Sequence, residues 1–170
     1  MSIEDRRTDK WQQQAARLGD ERIRYLFGKR LRHYSPDQLG RFQIITDVYG
    51  GFSYTEDLSQ FLEKVLSLLE IGGVFYTMVQ DVHLLAGEKD KPGAPYLTEL
   101  VDAQGRDVKM CSWLKKTTCV KVGCNSKSDW EAPTEQINIQ KLCSDVSVPR
   151  MTLLRYEAGN PPARRFKLER

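Results

Sequence analysis

The stretch RFQIITDVYGGFSYTEDLSQFLEKVLSLLEIGGVFYTMV, Arg41 to Val79, decides the fold class. It reads as strand, loop, helix, Gly-Gly turn and strand. FQIITDV (42–48) is short and rich in β-branched residues, the pattern of a buried strand, and Asp47 sits near its C-terminal end. TEDLSQFLEKVLSLLEIGG (55–73) reads as an amphipathic helix. Leu58, Phe61, Leu62, Val65, Leu68 and Leu69 mark one face, and Glu56, Asp57, Gln60, Glu63 and Lys64 lie largely opposite. Thr55 suits the N-cap, and Gly72-Gly73 ends the helix. VFYTMVQ (74–80) is the next strand. A strand, helix and strand joined this way form a right-handed crossover between parallel strands.

The 170 residues have the size of one domain with room for a real core, so a single unit is expected over 1–170. A composition of 40% hydrophobic and 29% charged residues argues against disorder in the middle of the chain. The net charge of +3 names no partner. The basic cluster Arg22, Arg24, Lys29, Arg30 and Arg32 reads as a solvated face rather than a nucleic-acid surface. Cys111, Cys119, Cys124 and Cys143 show no C-x-x-C spacing. His33 and His83 are the only histidines, so no metal site is expected. No N-terminal apolar run suggests a signal peptide or a membrane span. Together these features predict reduced thiols and a cytoplasmic chain that makes no membrane contact.

Working outward, EDRRTDKWQQQAARLG (4–19) reads as a helix. Asp5 or Thr8 would cap it, Gly19 would stop it, and Trp11, Ala15 and Leu18 form a narrow apolar stripe. RIRYLFG (22–28) alternates as a short strand, with Ile23, Tyr25 and Phe27 on one side. SPDQLG (35–40) is one helical turn capped by Ser35, opened by Pro36 and stopped by Gly40. Downstream, residues 83–105 form a loop-rich insert with Gly87, Pro92, Gly93 and Pro95. VKMCSWLKKT (108–117) reads as a helix. CVKVGCNS (119–126), QINIQKLC (136–143) and RMTLLRYEAG (150–159) read as strands, and residues 159–170 as a frayed polar tail.

In this order the segments resemble the second half of a class I S-adenosylmethionine-dependent methyltransferase. FQIITDVYG, DLSQFLEKVLSLLEIGG and VFYTMVQ match the family's fourth strand, the helix with its Gly-Gly turn, and the fifth strand. TTCVKVGC or INIQKL, with RMTLLRYEAG, suits the closing antiparallel pair. MSIEDRR looks like the end of the second strand, and the next helix with RIRYLFG looks like the third unit. The resemblance implies an α/β fold: a Rossmann-like sheet of order 3-2-1-4-5-7-6, truncated here at its N-terminal strands and mixed through its C-terminal pair. It implies S-adenosylmethionine as cofactor, with Glu4 and Asp5 on the ribose, Lys29 and Arg30 near the adenine, and Asp47 at the crevice.

The family's glycine-rich loop, of the G-x-G-x-G type, is absent from the sequence. Tyr49-Gly50-Gly51-Phe52 follows the fourth-type strand, does not open a helix directly, and reads as a wall of the substrate side. Asp47 would orient a nucleophile or take its proton, or else cap a turn. His83 would serve as a general base, or lie exposed in its loop. Tyr49, Phe52 and Tyr54 would line an acceptor pocket, or pack the loop on the helix. Without the first strands, residues 42–48 form an open apolar edge. Upstream chain, a second copy, or direct pairing with the 22–28 strand would cover it. The expected function is a methyltransferase, or a truncated relative, that moves a methyl group by in-line displacement. The rival is a non-catalytic binding or scaffold protein that lacks a complete cofactor site.

Overall fold

The computed structural model describes residues 5, 7–18, 25–80, 98–127, 134–159 and 162–169. It forms two compact units, Met1–Gly40 and Arg41–Arg170, where the length predicts one.

In the first unit, helix α1 (Asp9–Leu18) begins where Thr8 Oγ1 accepts from Trp11 N at 3.2 Å. Thr8 is therefore the cap. Asp5 instead pairs with Arg7 at 2.7 Å, and the Arg7 guanidinium lies over the rings of Tyr25 and Phe27. Of the strand expected over 22–28, residues 22–24 fall outside the described residues, and 25–28 form no strand beyond a single bridge residue at Phe27. A 3-10 turn (Leu31–His33) leads to α2 (Pro36–Leu39). Ser35 and Gln38 form a reciprocal capping box, Pro36 opens the turn, and Gly40 closes it at a φ of 84°, as the sequence predicts.

In chain order the second unit runs β1 (Phe42–Val48), α3 (Gly51–Tyr54), α4 (Leu58–Leu68), β2 (Leu69–Gln80), β3 (Thr98–Val101) and α5 (Met110–Leu114). Then follow β4 (Val120–Lys127), β5 (Thr134–Lys141), β6 (Met151–Glu157) and β7 (Ala163–Leu168). The larger sheet has the order β1-β2-β5-β4. β1 and β2 are parallel, as the crossover predicts, and β5 is antiparallel to both β2 and β4. The register sets Asp47, Thr77, Ile137 and Cys124 in one row across it.

Helix α4 buries Leu58, Leu62, Val65, Leu66 and Leu68, and Phe75, Ile137 and Ile139 are buried on the inner face of the sheet. Its cap is Asp57, whose Oδ1 accepts from Gln60 N at 2.8 Å; Thr55 Oγ1 accepts from Asp57 N instead. The helix stops at Leu68, before the two glycines. The buried Lys141 assists that stop, because its Nζ donates to Leu66 O at 2.8 Å and Leu69 O at 3.0 Å. Leu66 O also accepts from the amide of Leu69 at the end of the helix, so Lys141 adds a second, charged donor there. The Gly-Gly pair lies inside β2, where a Cβ on Gly73 would stand 3.0 Å from Phe42 O and 3.1 Å from Gln43 O. Glycine here lets the two backbones meet.

The smaller sheet has the order β3-β7-β6, with β7 parallel to β3 and antiparallel to β6. This corrects the polar-tail expectation for 159–170. Arg164, Phe166 and Leu168 alternate inward along β7 and are buried. An inward arginine makes that alternation look polar in sequence. RMTLLRYEAG contributes β6 to this sheet, so the antiparallel closing strands of the larger sheet are β4 and β5 alone. Within the expected 83–105 loop, Thr98–Val101 is a strand, and residues 83–97 lie outside the described residues.

Two further expectations change. β1 is not buried: Ile44 is 64% and Val48 59% exposed, because among the described residues β1 pairs with β2 alone. The cysteines are not reduced thiols, since Cys111 is bonded to Cys124 and Cys119 to Cys143. Linear spacing does not report which residues adjacent strands bring together. Disulfide-bonded cysteines do not support the cytoplasmic expectation. No helix among the described residues is long and apolar enough to cross a membrane.

Candidate functional site

The C-terminal end of β1 turns sharply into α3. Thr77 Oγ1 donates to Asp47 O at 2.8 Å, and Tyr49 N donates to Met78 O at 3.2 Å, so β2 holds the strand end on both sides of the bend. Tyr49 has a φ of 48°, in the left-handed region that an aromatic residue seldom occupies. The next two glycines open a helix directly, contrary to the expectation that YGGF does not. Gly50 is the cap position of α3, and Asp47 Oδ2 accepts from Phe52 N at 2.8 Å. A Cβ on Gly50 would collide with the Asp47 carboxylate, and one on Gly51 would lie 2.5 Å from the Phe61 ring. The two glycines therefore make room for a carboxylate on one side and an aromatic ring on the other.

Burial raises the pKa of Asp47, opposed by the backbone N–H groups of Phe52 and Gly51. The elbow thus fixes a half-buried carboxyl group that holds a proton more readily than an exposed one. One of its oxygens is committed to α3. Phe52 is fully buried and packs on Phe61, Phe75 and Trp113, with ring centroids 6.0, 6.3 and 6.5 Å away. It anchors the elbow in the core. Tyr49 is half-buried and Tyr54 is 39% exposed, so the two tyrosines are the aromatic groups of the elbow that reach its surface.

Sequence reasoning missed the residue that backs this elbow. Arg164, 1% exposed, donates to Phe52 O at 3.1 Å, Thr55 O at 2.6 Å and Thr98 Oγ1 at 2.8 Å. It ties β7 and β3 to the α3 turn. Desolvation lowers its pKa to about 10. Alternation with Phe166 and Leu168 was the available sequence clue.

Of the other expected site residues, Glu4 and His83 lie outside the described residues. Asp5, Lys29 and Arg30 belong to the first unit. The Arg7 guanidinium, hydrogen-bonded to Asp5, lowers the Asp5 pKa. Lys29 Nζ lies 5.9 Å from the Tyr34 ring centroid, and Arg30 precedes the 3-10 turn. Asp47, Tyr49, Phe52 and Tyr54 come together at the elbow of the second unit. A separate depression of about 100 Å³ between Glu63, Ser67, Lys141 and Ser144 is small beside the roughly 300 Å³ at which ligand pockets begin. The chain matches no protein family, no curated protein and no solved structure.

Proposed function

We propose that this chain is an S-adenosylmethionine-dependent methyltransferase, or a truncated relative of one, whose second unit supplies the C-terminal half of the sheet. The sheet order carries this reading. β1-β2-β5-β4, joined parallel, antiparallel and antiparallel, corresponds to strands 4-5-7-6 of the methyltransferase order. The elbow after β1 then lies at the carboxyl end of a parallel strand, where open α/β sheets bind ligands. In this reading Asp47 faces the crevice and orients the acceptor or takes its proton, while Tyr49 and Tyr54 bound the acceptor side. The sulfonium methyl passes in line to the acceptor nucleophile, and the protein contributes positioning and exclusion of water. An upstream segment or a second copy covers the open edge of β1 and supplies the remaining half of the crevice.

A specific observation favours the second reading, a non-catalytic methyltransferase-like scaffold. Asp47 is spent on capping α3 and Phe52 on core packing, and a structural elbow needs no cofactor. Calorimetric titration of folded residues 1–170 with S-adenosylmethionine and S-adenosylhomocysteine separates the two. Micromolar binding that weakens in Asp47→Ala supports the enzyme. No binding up to millimolar cofactor rejects a self-sufficient methyltransferase and leaves the scaffold.

A further inference from the structure

A second cluster of reactive groups lies three strands away from Asp47 and is independent of the methyltransferase reading. Cys111 comes from α5, Cys124 from β4 and Glu135 from β5. Their sulfur and carboxylate ligand atoms all lie within 4.8 Å of one another. The ladder explains the proximity. Cys124 is opposite Ile137, so Glu135 is its diagonal neighbour on the same face of the sheet, and α5 brings Cys111 to that face. Glu135 is 4% exposed, while both cysteines are half-buried. The row that contains Cys124 also contains Asp47, at a distance of about 14 Å for three strand spacings.

We infer that Cys111, Cys124 and Glu135 form a metal site for a zinc-class divalent cation when the Cys111–Cys124 disulfide is reduced. Two thiolates and one carboxylate are the donor set of a borderline-soft metal, and a fourth position is left for water or another ligand. Zn–S bonds of about 2.3 Å at a tetrahedral angle set the sulfurs about 3.8 Å apart. The cysteine Cα atoms are 6.2 Å apart, so side-chain rotation can reach that separation without backbone movement. A dithiol or phosphine reductant supplies two electrons. The S–S bond breaks, two S–H groups form, and the reductant leaves oxidised. Metal binding then replaces the two thiol protons, which pass to solvent, and the Glu135 carboxylate completes the set. The chain thus has two exclusive states, a disulfide and a metal thiolate.

The test uses the full chain, reduced by a phosphine, desalted without oxygen and titrated with Co²⁺ as the probe. A thiolate-to-cobalt charge-transfer band that saturates at one equivalent and is displaced by Zn²⁺ is expected. The band disappears in Cys111→Ser and in Cys124→Ser, and survives in the Cys119→Ser/Cys143→Ser double variant. Glu135→Gln keeps the band but weakens binding by about tenfold or more. Circular dichroism of the reduced protein accompanies each titration. Any of four results overturns the site: no band from a folded reduced chain, a band that survives Cys111→Ser, unchanged affinity in Glu135→Gln, or a reduced chain that stays unfolded with metal present. The first of these, with the disulfide re-forming on oxidation, would leave a redox pair alone.

Discussion

Replacing Arg164 with methionine should destabilise the protein, although removing a buried charge often costs nothing. The cation is 1% exposed, and desolvation lowers its pKa from the ordinary arginine range to about 10. That shift corresponds to roughly 3 kcal/mol of unfavourable charging, which Arg164→Met relieves. Against it stand three hydrogen bonds from a charged donor, to Phe52 O, Thr55 O and Thr98 Oγ1. At about 1.5–3 kcal/mol each they exceed the charging cost. Their loss also leaves two carbonyls at the α3 turn without this donor. Methionine keeps the apolar stem packed beside Phe166, so the net loss should be about 2–5 kcal/mol, a large part of a typical stability of roughly 5–15 kcal/mol. Urea denaturation of wild type, Arg164→Met and Arg164→Lys measures it, with the lysine variant in between. Because Arg164 and Asp47 hold the same turn, the double variant with Asp47→Ala should depart from additivity by at least about 0.5 kcal/mol. A methionine variant as stable as wild type would refute the staple, and strict additivity would refute the shared turn.

Two other outcomes follow from the elbow. The pKa of Asp47 is raised above 3.8 in the folded state, so the folded protein keeps a proton that the unfolded chain releases. Its contribution therefore falls as pH rises from the unfolded value through the folded one. Asp47→Asn removes that slope, and the stability of the variant relative to wild type should improve from about pH 3 to pH 7 by denaturant titration; a flat difference would show that burial does not set this carboxyl. Gly50→Ala should cost about 1–3 kcal/mol through collision with the Asp47 carboxylate, with part of the loss recovered when Asp47→Ala is added. Equal losses in the presence and absence of the Asp47 side chain would place the clash elsewhere.

Local chemistry fixed the parts of this protein that depend on neighbours in the chain. The apolar stripe of α4, the capping box at Ser35 and Gln38, and the parallel pairing of the two strands that flank the helix after Arg41 were all legible, because helix period, cap chemistry and the strand–helix–strand connection are rules of neighbouring segments. Contacts between distant segments were not legible. Asp47 could be placed at a strand end from sequence, but its role as the cap of α3 depends on how Gly50 and Gly51 fold back on it. Lys141 meets the end of α4 across more than seventy residues. Arg164 reads as part of a polar tail until β3 and β6 flank its strand. The cysteines show no motif spacing, yet the β4–β5 ladder and α5 bring Cys111, Cys124 and Glu135 within 4.8 Å. Sequence periodicity carries the elements, whereas strand register and layer packing decide which side chains meet, and only those meetings make a site.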